Sequence, residues 1–405
     1  MEEWKTVEIK EICTGIFEGP HATPKESSVG GYYLGIPAIG SDGHINFENA
    51  KRISEDDLPA WTKRVVPQED DIVFTNEATL NLYAIIPAGF HGCLGRRLGL
   101  IRPNKDLVNV RYLFYYFFSP EWRCVIEKNK VYGATVERIL MTKFPHFPVR
   151  LPGRETQDRI ANILSCIDEK ITLNTRINHN LEEQAHALYK SWFVDFEPFK
   201  NGTFVDSELG MIPEGWVVRR LGDVCKCVLG GTPSRNNSEY WGGSIAWINS
   251  GAVNEFRIIE ASEYITEKGL NSSATKLLPN NTVVLAITGA TLGQFSILAI
   301  PSCANQSVIG ILQNGKFPTE YIYPLIANRI DDLMLAATGG AQQHINKNNV
   351  EELYVLEPTD DVMSHYLSLT RPLYEQINAQ YLESNKLSCT RDYLLPRLMD
   401  GFISV

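Results

Sequence analysis

Several things are missing from this sequence of 405 residues, and each absence removes a class of function. No cysteine falls in a CxxC pair; the eight are scattered at Cys13, Cys93, Cys124, Cys166, Cys225, Cys227, Cys303 and Cys389. The one close pair, Cys225 and Cys227, has no histidine near it in sequence, so no zinc motif is present. Scattered thiols suit a reducing compartment. No apolar run approaches the roughly 20 residues that span a bilayer. The opening "MEEWKTVEIKEICTG" is acidic and mixed, unlike a secretory signal. A cytoplasmic protein with no membrane partner is expected.

Catalytic signatures are missing as well. There is no GxxxxGK[ST] phosphate loop, no GxGxxG after a strand-like run, no HExxH and no GxSxG. The Pro-Pro-Tyr or Pro-Pro-Trp segment with which adenine methyltransferases hold a flipped base does not occur. The eight histidines form no close cluster. No enzyme, and no resident cofactor or metal, is expected. Positive charge is also short: the formal net charge is −10. That argues against non-specific nucleic-acid binding by the whole surface, and basic groups would have to be concentrated locally or supplied by partners.

What is present is a chain written twice. "EEWKTVEIKEIC" from Glu2 lines up with "EGWVVRRLGDVC" from Glu214, placing Trp4 on Trp216, Ile9 on Leu221 and Cys13 on Cys225. "PQEDDIVFTNEATLNLYAII" from Pro67 lines up with "PNNTVVLAITGATLGQFSIL" from Pro279, with Ala78-Thr79-Leu80 on Ala290-Thr291-Leu292. "YLFYYFFS" from Tyr112 matches "YIYPLIAN" from Tyr321, and "YGATVERI" from Tyr132 sits against "GGAQQHIN" from Gly339. Together the matches keep one order at a nearly constant separation, too long for a solenoid. They predict two copies of a mixed domain of about 150 residues, each followed by a helix. Short β-rich runs such as "DIVFT" and "TVVLAIT" are punctuated by Gly, Asn and Pro, and Ser119-Pro120-Glu121 is a helix start. The class is α+β, with topology left open.

From Arg154 to Phe196 apolar residues recur at three- and four-residue steps. Heptad a positions fall at Ile160, Ile167, Asn174, Leu181 and Leu188, and d positions at Leu164, Ile171, Asn178, Ala185 and Trp192. A coiled-coil helix roughly 60 Å long is predicted. In the second copy the a positions are Leu373, Gln380, Leu387 and Leu394, and the d positions are Ile377, Ser384, Arg391 and Leu398. The polar break at Asn174 and Asn178 recurs at Gln380 and Ser384. Antiparallel pairing would bring these layers together, and such a layer costs stability while penalising slipped registers. The alternative is that the polar residues face solvent and the register drifts. Pro372 is either a first-turn residue or a kink, so the second helix is expected to be the shorter. Ile163, Ile177, Tyr189, Phe193, Tyr381 and Tyr393 lie off the seam, where partner helices or the adjacent globular copies would cover them.

"ETQDRIANILSCIDEKI" (from Glu155), "LYKSWFVDFEPF" (from Leu188), "GMIPEGWVVRRLGDV" (from Gly210), "GGTPSRNNSEYWGGSIAWI" (from Gly230) and "RDYLLPRLMDGFI" (from Arg391) resemble the DNA specificity subunit of type I restriction-modification enzymes. The resemblance covers essentially the whole chain. The first copy departs most: "FEGPHATPKESSVGGYYLGIPAI" keeps a trace of the Gly-Thr-Pro opening. The resemblance implies target recognition domains at 1–152 and, with a linker, 201–358. They would be separated by helical regions at 153–200 and 359–405, which pair antiparallel about a pseudo-two-fold. It implies that this chain does no chemistry. Double-stranded DNA with a bipartite target, two modification (methyltransferase) subunits and restriction (translocase and nuclease) subunits are the implied partners. S-adenosylmethionine and ATP/Mg would be held by those partners. A rival reading is a scaffold whose twin domains bind peptides or proteins.

Base-edge readout needs Arg or Lys for guanine and Asn or Gln for adenine, with flanking cations for phosphate. Loops of that composition offer Lys25, Arg96 and Arg97 in the first copy. In the second they offer Arg235, Asn236, Asn237, Thr288, Thr291, Gln294, Gln342, Gln343 and Lys347, with His344 beside them. Each has a structural alternative, since Gly-Thr-Pro makes a turn as easily as a contact. Arg391 on the seam reads as a polar contact between helices.

Overall fold

The structure, a computed structural model, describes residues 4–132, 136–337 and 344–405. It divides into two compact units. One comprises 1–170 with 386–405, the other 171–385. No helix among the described residues is long and apolar enough to cross a membrane.

In the first unit an antiparallel sheet runs in the order Cys13–Glu18, Leu98–Pro103, Ile72–Thr75, Tyr83–Ile85. Beside it lies a three-stranded sheet. Gly31–Leu34 is its centre, antiparallel to Lys51–Ile53 and parallel to Gly92–Leu94. Lys5–Glu8 pairs with Pro148–Leu151. The second unit repeats the plan. Its larger sheet runs Lys226–Leu229, Val308–Leu312, Val283–Ala286, Phe295–Leu298, with Arg257–Ile258 added at the edge. Trp241–Ile248 is antiparallel to Glu263–Ile265 and parallel to Cys303–Ala304. Val217–Arg220 pairs with Tyr354–Glu357. Apart from that added parallel edge strand, the strand order and the mixture of parallel and antiparallel neighbours are the same, so the sequence duplication is a duplication of fold.

Helices close each unit. Ser119 accepts a hydrogen bond from Trp122 N at 3.2 Å and caps Pro120–Asn129, as its Ser-Pro-Glu start predicts. Tyr112 donates to the Arg150 carbonyl at 2.9 Å, and its counterpart Tyr321 donates to the Leu356 carbonyl at 2.6 Å. Each bond ties a helix to the strand that leads into a long helix.

Those long helices are Arg154–Phe193 and Asp360–Met399, of 40 residues each. The expectation of a shorter second helix is therefore corrected. Pro372 sits on an exposed face inside it, while Tyr366, Thr370, Tyr374 and Ile377 around it are buried. Tertiary burial overrides the local cost of proline. The pairing is antiparallel within each unit. In the first, Asp168 meets Arg391. In the second, Asn174 meets Ser384 and Trp192 meets Tyr366. Ile160, Leu164, Asn174, Asn178, Leu181, Ala185 and Trp192 are buried, and Ile167, Ile171 and Leu188 half-buried. On the partner helix Ile377 and Leu398 are buried; Leu373, Gln380, Ser384, Leu387, Arg391 and Leu394 are half-buried. No a or d position of either helix faces solvent, so the register does not drift at the polar break. Asn174 is fully buried and donates to Ser384 Oγ at 3.2 Å and Glu383 Oε2 at 2.8 Å.

The off-seam residues divide. Tyr189 and Phe193 are buried in the core of the second unit against Tyr321, and Ile177 and Tyr381 pack on that core. Ile163 and Tyr393 are exposed. The globular fold thus covers most of the stripe that the sequence left open for a partner.

Candidate nucleic-acid interface

In each unit a connection between two adjacent strands of the larger sheet carries the candidate loop. In the first unit it joins Ile72–Thr75 to Tyr83–Ile85, with Ala78 and Asn81 in left-handed backbone at φ 70° and 66°. In the second it joins Val283–Ala286 to Phe295–Leu298, with Gly289 and Gly293 at φ 81° and 86°. Three-point backbone bonding holds both loops. Asn76 N donates to the Arg97 carbonyl at 3.0 Å, Ile139 N donates to the Asn76 carbonyl at 2.8 Å, and Thr75 N donates to the Leu82 carbonyl at 3.1 Å. The matching bonds are Ile287 N to the Ser307 carbonyl at 2.8 Å, Ile345 N to the Ile287 carbonyl at 3.0 Å, and Ala286 N to the Gln294 carbonyl at 2.8 Å.

This lattice corrects the sequence alignment at two places. Bridges pair Glu77 with Arg138 and Thr288 with His344. Ala78 therefore corresponds to Gly289, not Ala290, and the extra residue of the second copy is absorbed in the 3-10 turn Gly289–Thr291. Arg138 likewise corresponds to His344, not Ile345. A one-residue slip in an extended segment turns every side chain to the opposite face, so this difference decides which side chains are comparable.

The structure brings several candidates together in the first unit. Arg97 has left-handed backbone at φ 72°, rare for a residue with a Cβ. Its Nε lies 3.3 Å from Glu77 Oε1. Glu77 faces the exposed Arg138 across the bridge. Asn76 is almost wholly buried and donates to Glu18 Oε1 at 3.2 Å. Arg96 is exposed, and its N–H donates to the Tyr33 hydroxyl at 3.2 Å. Lys25 is exposed on a separate loop. Glu77, Asn76 and Arg138 were not anticipated from sequence. The repeat held the signal, blurred by the one-residue slip.

In the second unit Thr288 and Thr291 are half-buried and Gln294 is exposed on the corresponding loop. Arg235 is engaged rather than open. Its guanidinium lies 3.6 Å over the Trp241 ring and 5.0 Å from the Trp247 ring, and it is paired with Glu263. Asn236 is exposed, whereas Asn237 accepts from Glu239 N at 3.1 Å and caps a short 3-10 turn. Lys347 opens the helix Lys347–Glu351 and pairs with Glu351 at 3.0 Å. Gln342 and Gln343 lie outside the described residues, as do parts of the matched segments "YGATVERI" and "GGAQQHIN".

A second duplicated tie has its charges exchanged. Lys51 and Glu263 occupy the same place on the edge strand of the smaller sheet, opposite Tyr33 and Trp247. Lys51 pairs with Glu26 at 2.7 Å, where Glu263 pairs with Arg235. Both ties anchor the loop that enters the smaller sheet, but the loops are electrostatically incompatible with each other's unit. The close cysteines are buried, which pushes the Cys225 and Cys227 thiols up to about 12.

Comparison with known proteins gives a consistent result. The family model described as "type I restriction modification DNA specificity domain" matches residues 1–183 and again 213–367. The chain is 27% identical to the MjaIX type I restriction enzyme specificity subunit of Methanocaldococcus jannaschii, over 100% of this chain and 94% of that one. It is 23% identical to the HindI specificity subunit of Haemophilus influenzae, over 89% of this chain and 91% of the relative. Its fold is similar to the crystal structure of a type I restriction-modification S subunit from M. genitalium, with a TM-score of 0.60 at 14% identity, covering 98% and 96% of the two chains.

Proposed function

The chain belongs to the type I restriction-modification DNA specificity family, and from that membership we propose a division of labour between its two units. It is the DNA-recognition subunit of its complex, not a catalytic one. In our reading each unit reads one half of a bipartite duplex target, through the loops held on the Asn76 and Ile287 lattices. Lys25, Arg96 and Arg97 serve the first half-site. Thr288, Thr291, Gln294 and Asn236 serve the second, together with Gln342 and Gln343. Arg235 and Asn237 act on DNA through the loop they brace, and Lys347 supplies charge beside the second half-site.

The observation that carries this reading is the duplicated backbone lattice bearing different side chains. Two rigid, equivalent frames that present Glu77, Arg97 and Arg138 in one unit and Thr288, Ser307 and His344 in the other suit two unrelated half-sites.

The chemistry then belongs to partners: methyltransferase subunits that bind S-adenosylmethionine, and restriction subunits that use ATP and Mg. The exposed Ile163 and Tyr393 on the long helices supply part of the contact with the methyltransferase subunits. The net charge of −10 implies that the isolated chain binds DNA weakly and that partners complete the positive surface. We place the work in the cytoplasm, in keeping with eight unbridged cysteines.

Methylome sequencing of the host with and without this gene tests the reading. Deletion is expected to erase one split methylated motif. An unchanged methylome in a host whose partner methyltransferase is expressed, or loss of one uninterrupted motif, would overturn it.

A further inference from the structure

We infer that Arg97 and Arg138, oriented by Glu77, read guanine in the half-site of the first unit, and that the second unit has no arginine reader at the matching place. This rests on the DNA-reading role proposed above and specifies its chemistry.

Backbone bonds fix Glu77 against Thr288, Arg97 against Ser307 and Arg138 against His344. At these three positions the first unit carries two guanidinium groups and one carboxylate; the second carries a hydroxyl pair and an imidazole. A guanidinium fork matches the O6 and N7 acceptors of guanine, whereas Ser and Thr are adaptable and specify little by themselves.

Geometry supports a reader rather than a structural ion pair. Arg97 is held in left-handed backbone, a cost that persists where the surrounding structure enforces it and that concentrates at functional sites. Its carbonyl is pinned by Asn76 N, so the Cα is fixed. Its side chain remains about a third exposed, as does that of Glu77. The 3.3 Å contact between Glu77 and Arg97 restrains the guanidinium without saturating its five donors. Arg138 stands on the strand opposite Glu77 and is exposed. The Glu77 carboxylate thus touches Arg97 directly and stands opposite Arg138 on the bridged segment. Restraint by that carboxylate lowers the entropy lost when the Arg97 fork engages a base.

Glu77 is a positioning residue in this scheme. Removing its charge makes the loop more positive. General affinity for DNA should rise while preference for guanine falls, a combination that a merely structural role does not produce.

The test uses the full chain assembled with its methyltransferase partner, incubated with duplexes randomised at both half-sites, the bound fraction being sequenced. The wild-type complex should enrich one split motif. Transplanting the chemistry of the second unit (Glu77→Thr with Arg97→Ser and Arg138→His) should reduce guanine preference on the order of ten- to a hundredfold in one half-site and leave the other unchanged. Glu77→Gln should weaken the same preference while tightening binding to non-target DNA. Should the triple variant not fold, Arg97→Asn and Arg138→Ala replace it, since asparagine tolerates the left-handed backbone at 97 and both keep the backbone lattice. A wild-type guanine preference in both of those variants, or losses shared equally by both half-sites, would overturn the assignment. Enrichment of no motif by the wild-type complex would instead sink the DNA-reading role itself.

Discussion

Asp168 on the first long helix holds Arg391 of the second at 2.9 Å through one carboxylate oxygen and accepts from the Tyr115 hydroxyl at 2.6 Å through the other. Three elements of the first unit therefore meet at one carboxylate: both long helices and the helix Val110–Tyr116. The Asp168 and Arg391 side chains are 19% and 24% exposed, so the pair is screened far less than a surface ion pair. Asp168→Ala would remove the acceptor of the Tyr115 hydroxyl and one of the two carboxylates that hold Arg391, whose contact with the exposed Asp392 at 3.0 Å remains. We expect a loss of about 1.5–3 kcal/mol. Replacing the whole trio (Tyr115→Phe, Asp168→Leu, Arg391→Met) should restore most of it, because no buried donor is then left without an acceptor. Urea titration of the wild type, Asp168→Ala and the triple variant checks this, and a cost for Asp168→Ala below about 0.5 kcal/mol would refute it.

The duplicated tyrosines allow the same question to be asked twice in one chain. Tyr321 is wholly buried and its hydroxyl satisfies a carbonyl of the buried Leu356. Tyr112 does the same for Arg150, which is half-buried. Tyr321→Phe should cost about 1–2 kcal/mol, and Tyr112→Phe less, since water reaches the neighbourhood of Arg150 more readily. Amide hydrogen exchange reads each unit separately. Tyr321→Phe should raise exchange in the strand Tyr354–Glu357 and leave Pro148–Leu151 unaffected.

Pro372 occupies an interior helical position where its ring removes one backbone donor. It is exposed, so a substitution there changes no core contact. Pro372→Ala is expected to raise stability by roughly 1–3 kcal/mol, the loss of unfolded-state restriction offsetting part of the gain. A lower melting temperature in the alanine variant would mean that the proline shapes the helix in a way its neighbours require.

Much of this architecture is legible in the chain because duplication writes each feature twice. Tyr112 and Tyr321 align by eye, and both make the same bond. The polar break at Asn174, Asn178, Gln380 and Ser384 recurs at one spacing, and none of the four is exposed. What sequence obscures has local physical causes. Pro372 reads as a first-turn residue or a kink since propensity is visible in sequence, whereas the burial of Tyr366 and Tyr374 that overrides it is not. Arg235 has the composition of a base reader, but it stacks on Trp241, which lies where the strand register shifts between Trp241 and Ile245, and no spacing rule reveals either feature. Arg138 escaped notice through a slip of one residue. The charge exchange between Glu26–Lys51 and Arg235–Glu263 is invisible until strand register makes Lys51 and Glu263 equivalent.

Glu182 gives the second unit a pH dependence near neutrality. Burial on the first long helix raises its carboxyl to about 7 from an ordinary 4.5, and the nearby Glu255 charge adds to the rise; a hydrogen bond from Tyr381 opposes it. Tyr323 and Tyr381 face it from the other packed elements, with His186 and Lys190 farther along its own helix. Because the folded-state value lies above the unfolded one, the folded protein holds this proton more tightly than the unfolded chain. The stabilisation is fully present below pH 4.5 and is lost as pH rises through 7. Between those limits wild-type stability should fall with pH, relative to a variant that does not titrate there. Glu182→Gln keeps an acceptor for Tyr381 and removes the ionisation, so its melting temperature should exceed that of the wild type by several degrees at pH 8 and converge with it near pH 5. Glu255→Gln should move the midpoint of the wild-type slope downward by removing the like charge. Parallel melting curves for wild type and Glu182→Gln from pH 5 to 8 would show that Glu182 is already ionised in the folded chain at the acid end, and that its burial is relieved by solvent.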